Sequence, residues 1–325
     1  MTGLKPNCLA YQNQTMSTFN GVRRCIIIYL KSWLIKRNLY DNDLSQITFK
    51  TTEIAVSFVY PKHVTKSLAQ LGKMDEVNKY ILFLNYVPKC GSEILILLLQ
   101  KLQGYNNYRH VRLKGGSTKV LTNLQQDNVV SEIYDTVKAV AVPVSFDQHV
   151  FFLNFTTFDK QFPTYINFIR DPIDRVLLRS SKKHYNYKCF MSKRNDCNIN
   201  NGQLYELSVP YFCGHDYRCL NLDNNWALQR AKDNVVKYFP VVGVLEEFNV
   251  TLEILEHKIP YFFKGIQKLY QNDYLHLQNN RKKLIAPKLI RQKLETVLVN
   301  ELDFYLWIKS RLFQQLQILY GDHRH

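Results

Sequence analysis

From Tyr80 to Val87 the chain reads Tyr-Ile-Leu-Phe-Leu-Asn-Tyr-Val, a nearly unbroken apolar run of strand length. Alternation of polar and apolar residues would mark a strand with one wet face. A continuous run marks a strand covered on both faces, as in parallel sheets. Pro88-Lys89-Cys90-Gly91-Ser92 stops the run, and Glu93 to Leu102 follows as an apolar stretch of helical length. Strand, small-residue turn and buried helix is an arrangement in which helix N-terminal amides face an anion. The unit commits this part of the chain to an α/β fold.

Further elements fit that class. Val137 to Phe146 predicts a second strand and Tyr165 to Ile169 a third, ended by Arg170-Asp171-Pro172 with a helix starting at Ile173. Trp226 to Tyr238 is helical in pattern, Val241 to Val244 predicts a fourth strand, and Asn249 to Phe263 and Pro287 to Leu319 read as long helices. Strands alternating with helices predict one α/β domain over residues 78–320, with a mostly parallel central sheet flanked by helices. Residues 1–77 show no clear periodicity and read as a stem. Within them, the basic and apolar stretch from Arg23 to Lys36 is interrupted by Lys31. It reads as a degenerate signal anchor or as an ordinary amphipathic segment.

Charge narrows the partners. Lys and Arg number 43 against 27 Asp and Glu, a formal net charge of +16 over 325 residues. Such a surface attracts polyanions. Nucleic acid, acidic lipid and sulfated glycan all qualify by charge, but no nucleic-acid-binding module is present, so that class is set aside. Of seven cysteines, Cys189, Cys197, Cys213 and Cys219 crowd one loop-like stretch without a Cys-x-x-Cys pair. A zinc ribbon is therefore not expected. Two local disulfides or free thiols both remain open from spacing. Sequons at Asn13, Asn154 and Asn249 are acceptors for glycosylation in a secreted chain.

Three residues carry candidate chemistry. Lys89 stands at a strand-to-helix turn where an ammonium can meet a phosphate or sulfate oxygen. The turn lacks the second glycine and terminal Lys-Ser/Thr of a Walker loop. Arg170 emerges at the carboxyl end of a buried strand, the edge at which open α/β sheets bind ligands. Its guanidinium suits a phosphate, or it pairs with Asp171 or Asp174. His149 follows the second predicted strand, where a neutral imidazole can take a proton from a hydroxyl. A structural histidine is the alternative reading.

Several stretches, in order and at matching spacing, resemble the uronyl and heparan sulfate 2-O-sulfotransferase family, nearest its insect "pipe" branch. They are Asn85-Tyr86-Val87-Pro88-Lys89-Cys90-Gly91-Ser92, His149-Val150-Phe151-Phe152-Leu153-Asn154-Phe155 and Tyr165 through Arg175. Pro210-Tyr211-Phe212-Cys213-Gly214-His215, Cys219 and Val242-Gly243-Val244-Leu245-Glu246-Glu247 complete the set. The resemblance covers about residues 79–310. It implies a single P-loop-like sulfotransferase domain and 3′-phosphoadenosine 5′-phosphosulfate as donor, with no metal needed. By resemblance, Lys89, Cys90, Gly91 and Ser92 hold the 5′-phosphosulfate and Arg170 the 3′-phosphate. His149 is the general base toward a uronic acid 2-hydroxyl, and Lys89 stabilises the leaving phosphate. Cys189 with Cys197 and Cys213 with Cys219 fall where the family forms disulfides. A Golgi membrane location with a luminal domain, a glycosaminoglycan or glycoprotein glycan acceptor, and a homo-oligomer, commonly a trimer, are further implications.

The match departs from the family at several positions. Leu178 stands where the family has a serine that helps bind the 3′-phosphate, with Ser180 and Ser181 nearby. Tyr86 replaces an arginine, Glu93 adds a carboxylate in the first turn after the loop, and residues 180–188 form a shortened loop keeping Lys182, Lys183 and His184. Arg281, Lys282 and Lys283 form a further basic run. Two functions follow: a working 2-O-sulfotransferase, or a catalytically inactive relative that binds sulfated glycans through its basic surface.

Overall fold

A computed structural model describes residues 77–115, 120–140, 142–182, 206–275 and 288–321. Strand β1 (Asn78–Asn85) leads through the turn 86–91 into helix α1 (Ser92–Leu102). Strand β2 (Arg109–Arg112), helix α2 (Asn123–Ala139) and strand β3 (Val144–Gln148) follow, then β4 (Pro163–Ile169) and α3 (Pro172–Lys182). After a short turn of helix at Pro210–Cys213 come α4 (Asn225–Tyr238), β5 (Val241–Val244) and α5 (Phe248–Lys258). Helices α6 (Lys288–Val297) and α7 (Val299–Gly321) complete the described chain.

The five strands form one sheet in the order β2-β3-β1-β4-β5, every pairing parallel. This is the predicted fold class. Strands β3, β4 and β5 are buried along their whole lengths and β1 from Ile81 onward, which explains the apolar runs of β1, β4 and β5, while β3 carries the buried polar residues Ser145, Asp147 and Gln148. Close packing reaches the backbone at Gly243, where an added Cβ would lie 2.4 Å from Thr251 Cγ2 and 2.6 Å from the Phe168 ring. Only glycine fits there.

The sheet order creates the site. From β1 the chain crosses toward β2, whereas from β4 it crosses toward β5, on the other side of the sheet. Connections that depart in opposite directions leave a crevice at the carboxyl ends of the two adjacent strands. The turn after β1 and the Arg170 segment after β4 flank that crevice.

Three expectations need correction. Residues 137–139 end helix α2, and the strand starts only at Val144, because a capped helix claims the intervening sequence. Thr122 Oγ accepts from Gln125 N while the Gln125 side chain accepts from Thr122 N, a capping box. Asn249 to Phe263 is broken by Pro260, which lacks the amide to continue α5. Pro287 to Leu319 is two helices, α6 and α7, rather than one. The edge strand β2 went unpredicted; it is only four residues long and partly polar. No helix among the described residues is long and apolar enough to cross a membrane, and the Arg23–Lys36 stretch lies outside them.

Candidate functional site at the carboxyl edge of the sheet

The turn after β1 is held open by its own backbone. Gly91 adopts φ 89°, a left-handed conformation that glycine takes without a Cβ clash, and starts α1 with no side-chain cap. Helix α2 caps itself, but α1 has no side-chain cap, and of its first amides Ile94 N bonds to Gly91 O at 3.1 Å. Uncapped N-terminal amides plus the helix dipole favour an anion. Lys89 also has positive φ, 64°, and its side chain is exposed at the turn's tip. Cys90 and Ser92 are buried, so the turn offers a ligand their backbone rather than their side chains. Ser92 Oγ donates inward to Val87 O at 3.5 Å. Burial pushes the Cys90 thiol up to about 12, so it is no nucleophile near neutrality.

Behind the turn lies a buried amide pair that neither periodicity nor motif had singled out. Asn167 Nδ2 donates to Asn85 O at 2.7 Å and to Asn85 Oδ1 at 3.2 Å. Asn167 Oδ1 accepts from Val87 N at 3.2 Å and from Phe168 N at 2.7 Å. Asn85 Nδ2 donates to Tyr211 O at 2.7 Å. Two asparagines thus tie the ends of β1 and β4 to the start of the turn and to the Tyr211 segment. The available signal was one polar residue inside each of two apolar strands, because a buried amide persists only where its hydrogen bonds are made.

Arg170 and Arg175 supply buried positive charge beside this crevice. The Nε of Arg170 is buried without a hydrogen-bond partner, with Glu246 Oε1 4.0 Å away. That carboxylate instead accepts from Asp171 N at 3.2 Å and from Tyr305 OH at 3.2 Å. Arg175 is 4% exposed, and its Nε and Nη1 also have no hydrogen-bond partner among the described residues; Nη2 lies 3.7 Å from Glu301 Oε2. The expected pairing of Arg170 with Asp171 or Asp174 is not what forms. Asp171 Oδ1 accepts from Ile173 N and Asp174 N, at 2.9 and 3.0 Å, and Arg291 bridges to Asp174 at 2.7 Å.

His149 stands just beyond β3, on the other flank of β1. Its ring stacks on Tyr86 and on Tyr211, each at 5.5 Å between centroids, and its Nε2 shares a hydrogen bond with the Tyr211 hydroxyl. Burial raises the Tyr211 hydroxyl well above its ordinary value, so it stays protonated. The imidazole is therefore oriented by two rings and one hydroxyl. Tyr86, one of the departures from the family, is what covers it.

Lys89, Arg170 and His149 thus follow three adjacent strands, β1, β4 and β3, at one edge of the sheet. Glu93 is exposed on the first turn of α1, and Leu178 is partly exposed on α3. The Cys213–Cys219 disulfide is present, with Cα atoms 5.8 Å apart. Asn154 and Asn249 both have exposed side chains. Cys189, Cys197, Asn13, the side chains of Ser180 to His184, and Arg281 to Lys283 lie outside the described residues. No group of metal-ligating side chains occurs among the described residues.

No protein-family profile matches the chain. Human uronyl 2-sulfotransferase is 30% identical over 270 residues, covering 74% of this chain and 64% of the human protein. The Drosophila melanogaster uronyl 2-sulfotransferase homolog pip is 29% identical over 276 residues, covering 73% of this chain and 53% of the fly protein. Heparan sulfate 2-O-sulfotransferase 1 of Gallus gallus is 28% identical over 263 residues, covering 72% of this chain and 70% of the chicken protein. The chain thus spans just over half to under two thirds of the lengths of its uronyl-type relatives.

Proposed function

Since this chain is a homologue of the uronyl and heparan sulfate 2-O-sulfotransferases, we propose that it transfers a sulfo group from 3′-phosphoadenosine 5′-phosphosulfate to the 2-hydroxyl of a uronic acid in a glycosaminoglycan or glycoprotein glycan. The observation that carries the reading is the crevice between β1 and β4. An uncapped helix start and Lys89 border one side, and a guanidinium with an unpaired buried N–H borders the other. A ligand with phosphate at both ends fits two separated cationic groups, and the adenosine donor carries its phosphates in that way.

In this scheme the first amides of α1 and the Lys89 ammonium hold the 5′-phosphosulfate, and Arg170 takes the 3′-phosphate. His149 removes the proton from the 2-hydroxyl. The oxygen forms its bond to sulfur as the bond from sulfur to the 5′-phosphate oxygen breaks, and 3′-phosphoadenosine 5′-phosphate leaves. Negative charge grows on that phosphate in the transition state, where Lys89 and the fixed amides meet it without rearranging. Tyr86 and Tyr211 keep the imidazole plane fixed for the proton transfer. The side chains present need no metal for these steps.

The Cys213–Cys219 disulfide and the exposed sequon asparagines support a secretory compartment, with Golgi lumen as the proposed location and Asn154 and Asn249 as glycan carriers. The trimeric state implied by resemblance belongs to the same proposal.

The test is calorimetric titration of the full chain with 3′-phosphoadenosine 5′-phosphate. Micromolar affinity, on the order of 8 kcal/mol, that disappears in both Lys89→Ala and Arg170→Ala is the expected result. A folded chain that does not bind the nucleotide overturns the proposal.

A further inference from the structure

Beyond His149, on the side away from Arg170, strands β2 and β3 end in a buried charge cluster. Asp147 is fully buried. Its Oδ1 accepts from His110 Nε2 at 2.9 Å, and its Oδ2 accepts from Arg112 Nε at 3.0 Å. A carboxylate only accepts, so His110 carries its hydrogen on Nε2, and its Nδ1 faces Ser145 Oγ at 2.8 Å. Burying a carboxylate is costly unless it is paired and hydrogen-bonded. Here the pairing reaches outward, because Arg112's side chain is 60% exposed while that of Asp147 is 1% exposed. Arg112 makes no other hydrogen bond or ion pair among the described residues. With Nε anchored, the end-on fork formed by its two terminal nitrogens makes no hydrogen bond among the described residues.

The cluster sits where an acceptor would lie. Arg112 is the register partner of Asp147, and Asp147 precedes His149 by two residues. The Tyr86 ring stacks on His149, and its hydroxyl feels the charges of both Asp147 and Arg112. Two residues along a strand span about 7 Å, of the order of one sugar ring with its substituents. A uronic acid carries its carboxylate across the ring from its 2-hydroxyl. A sugar that presents the 2-hydroxyl to His149 can therefore bring its carboxylate to the neighbouring strand end.

We propose that Arg112, held in place by Asp147, binds the acceptor's uronate carboxylate end-on and selects uronic acids over neutral sugars. The placement rests on the sulfotransfer reading, which puts the 2-hydroxyl at His149. A planar fork that is already fixed loses little freedom on meeting a carboxylate, and bidentate pairing with carboxylates is what a guanidinium does best. Asp147 and His110 are positioning residues, acting through Arg112.

The experiment needs no turnover. An unsulfated glucuronate-containing hexasaccharide and its carboxyl-reduced twin are titrated into the full chain, wild type, Arg112→Gln and Arg112→Lys. Wild type should prefer the acid at least tenfold. Arg112→Gln should bring the acid down to the affinity of the reduced twin and leave the twin unchanged. Arg112→Lys keeps an ion pair to Asp147 but has no fork, and should lose most of the preference too. Equal weakening of both oligosaccharides, an unchanged preference in Arg112→Gln, or no binding of either by wild type would overturn the assignment. Titration of 3′-phosphoadenosine 5′-phosphate into the same proteins reports on the donor side separately. Failure there with the acid preference intact would sink the sulfotransfer reading and leave Arg112 as a uronate-binding residue.

Discussion

The two flanks of β1 treat their polar groups differently at the carboxyl edge. Toward β3, charges close on each other: Asp147 accepts from both His110 and Arg112. The atoms left over there are neutral, Gln148 Oε1 and His215 Nε2. Toward β4 and α3 the atoms left over belong to guanidiniums, Arg170 and Arg175. An unmade hydrogen bond at a buried group costs about 1–3 kcal/mol, more when the group is charged. In the proposed reading, an incoming phosphate meets the unpaired guanidinium atoms of the open flank, and the closed flank holds the proposed base and acceptor-binding groups.

The sharpest way to break the comparison is to remove the base from the closed flank. His149→Ala should lower turnover by about 10²–10⁴-fold, the usual contribution of a positioned acid or base. Its affinity for 3′-phosphoadenosine 5′-phosphate should stay within about threefold of wild type, and single-turnover assays with saturating donor measure both. A parallel loss of nucleotide affinity would mean that the two flanks are not separable.

On the open flank, Arg170→Ala should weaken nucleotide binding about 100-fold, equivalent to about 2.7 kcal/mol. It should not lower the denaturation midpoint of the unliganded protein, because the residue it removes has an unsatisfied buried N–H. A destabilisation as large as that of an internal hydrogen-bonding residue would make Arg170 structural and erase the contrast.

A third substitution tests the amide pair that ties β1 to β4. Asn167→Ala strands Val87 N and the Asn85 side chain in the core. It should cost about 2 kcal/mol in urea unfolding. Nucleotide binding should weaken only as far as the turn after β1 loses its anchor.

The same contrast explains what the sequence revealed. Strands β1, β4 and β5 were legible because burial on both faces makes them mostly apolar, and Lys89 and Arg170 were legible because each follows such a run at its end. His149 was visible as a residue type and by resemblance, but its ring partners Tyr86 and Tyr211 are 125 residues apart in the chain and meet only in the fold. Arg112 and His110 were invisible for another reason. Strand β2 is short and partly exposed, and it carries no periodicity that sets it apart from a loop. The strand misplaced at Val137 fell to a local competitor, since the apolar residues of late α2 mimic a strand unless the Thr122 capping box is weighed.

The smallest effect concerns the one titratable leftover of the closed flank. His215 accepts a hydrogen bond from Leu121 N at Nδ1, 3.1 Å, and packs against Phe151. Burial lowers its pKa to about 4, partly offset by the Phe151 backbone. Because the folded value lies below the ordinary 6.5, the neutral ring's contribution is complete above pH 6.5 and is lost as pH falls toward 4. At pH 5 the full linkage would be about 2 kcal/mol, and the partial exposure of the side chain reduces it to about 1 kcal/mol. Urea unfolding at pH 7.5 and pH 5 should therefore show wild type losing about 1 kcal/mol more than His215→Gln, which has no proton to take up. Identical losses in the two proteins would mean that His215 titrates as it does in water. The closed flank would then owe nothing to a buried neutral imidazole, and the contrast between the flanks would rest on Asp147 and its partners alone.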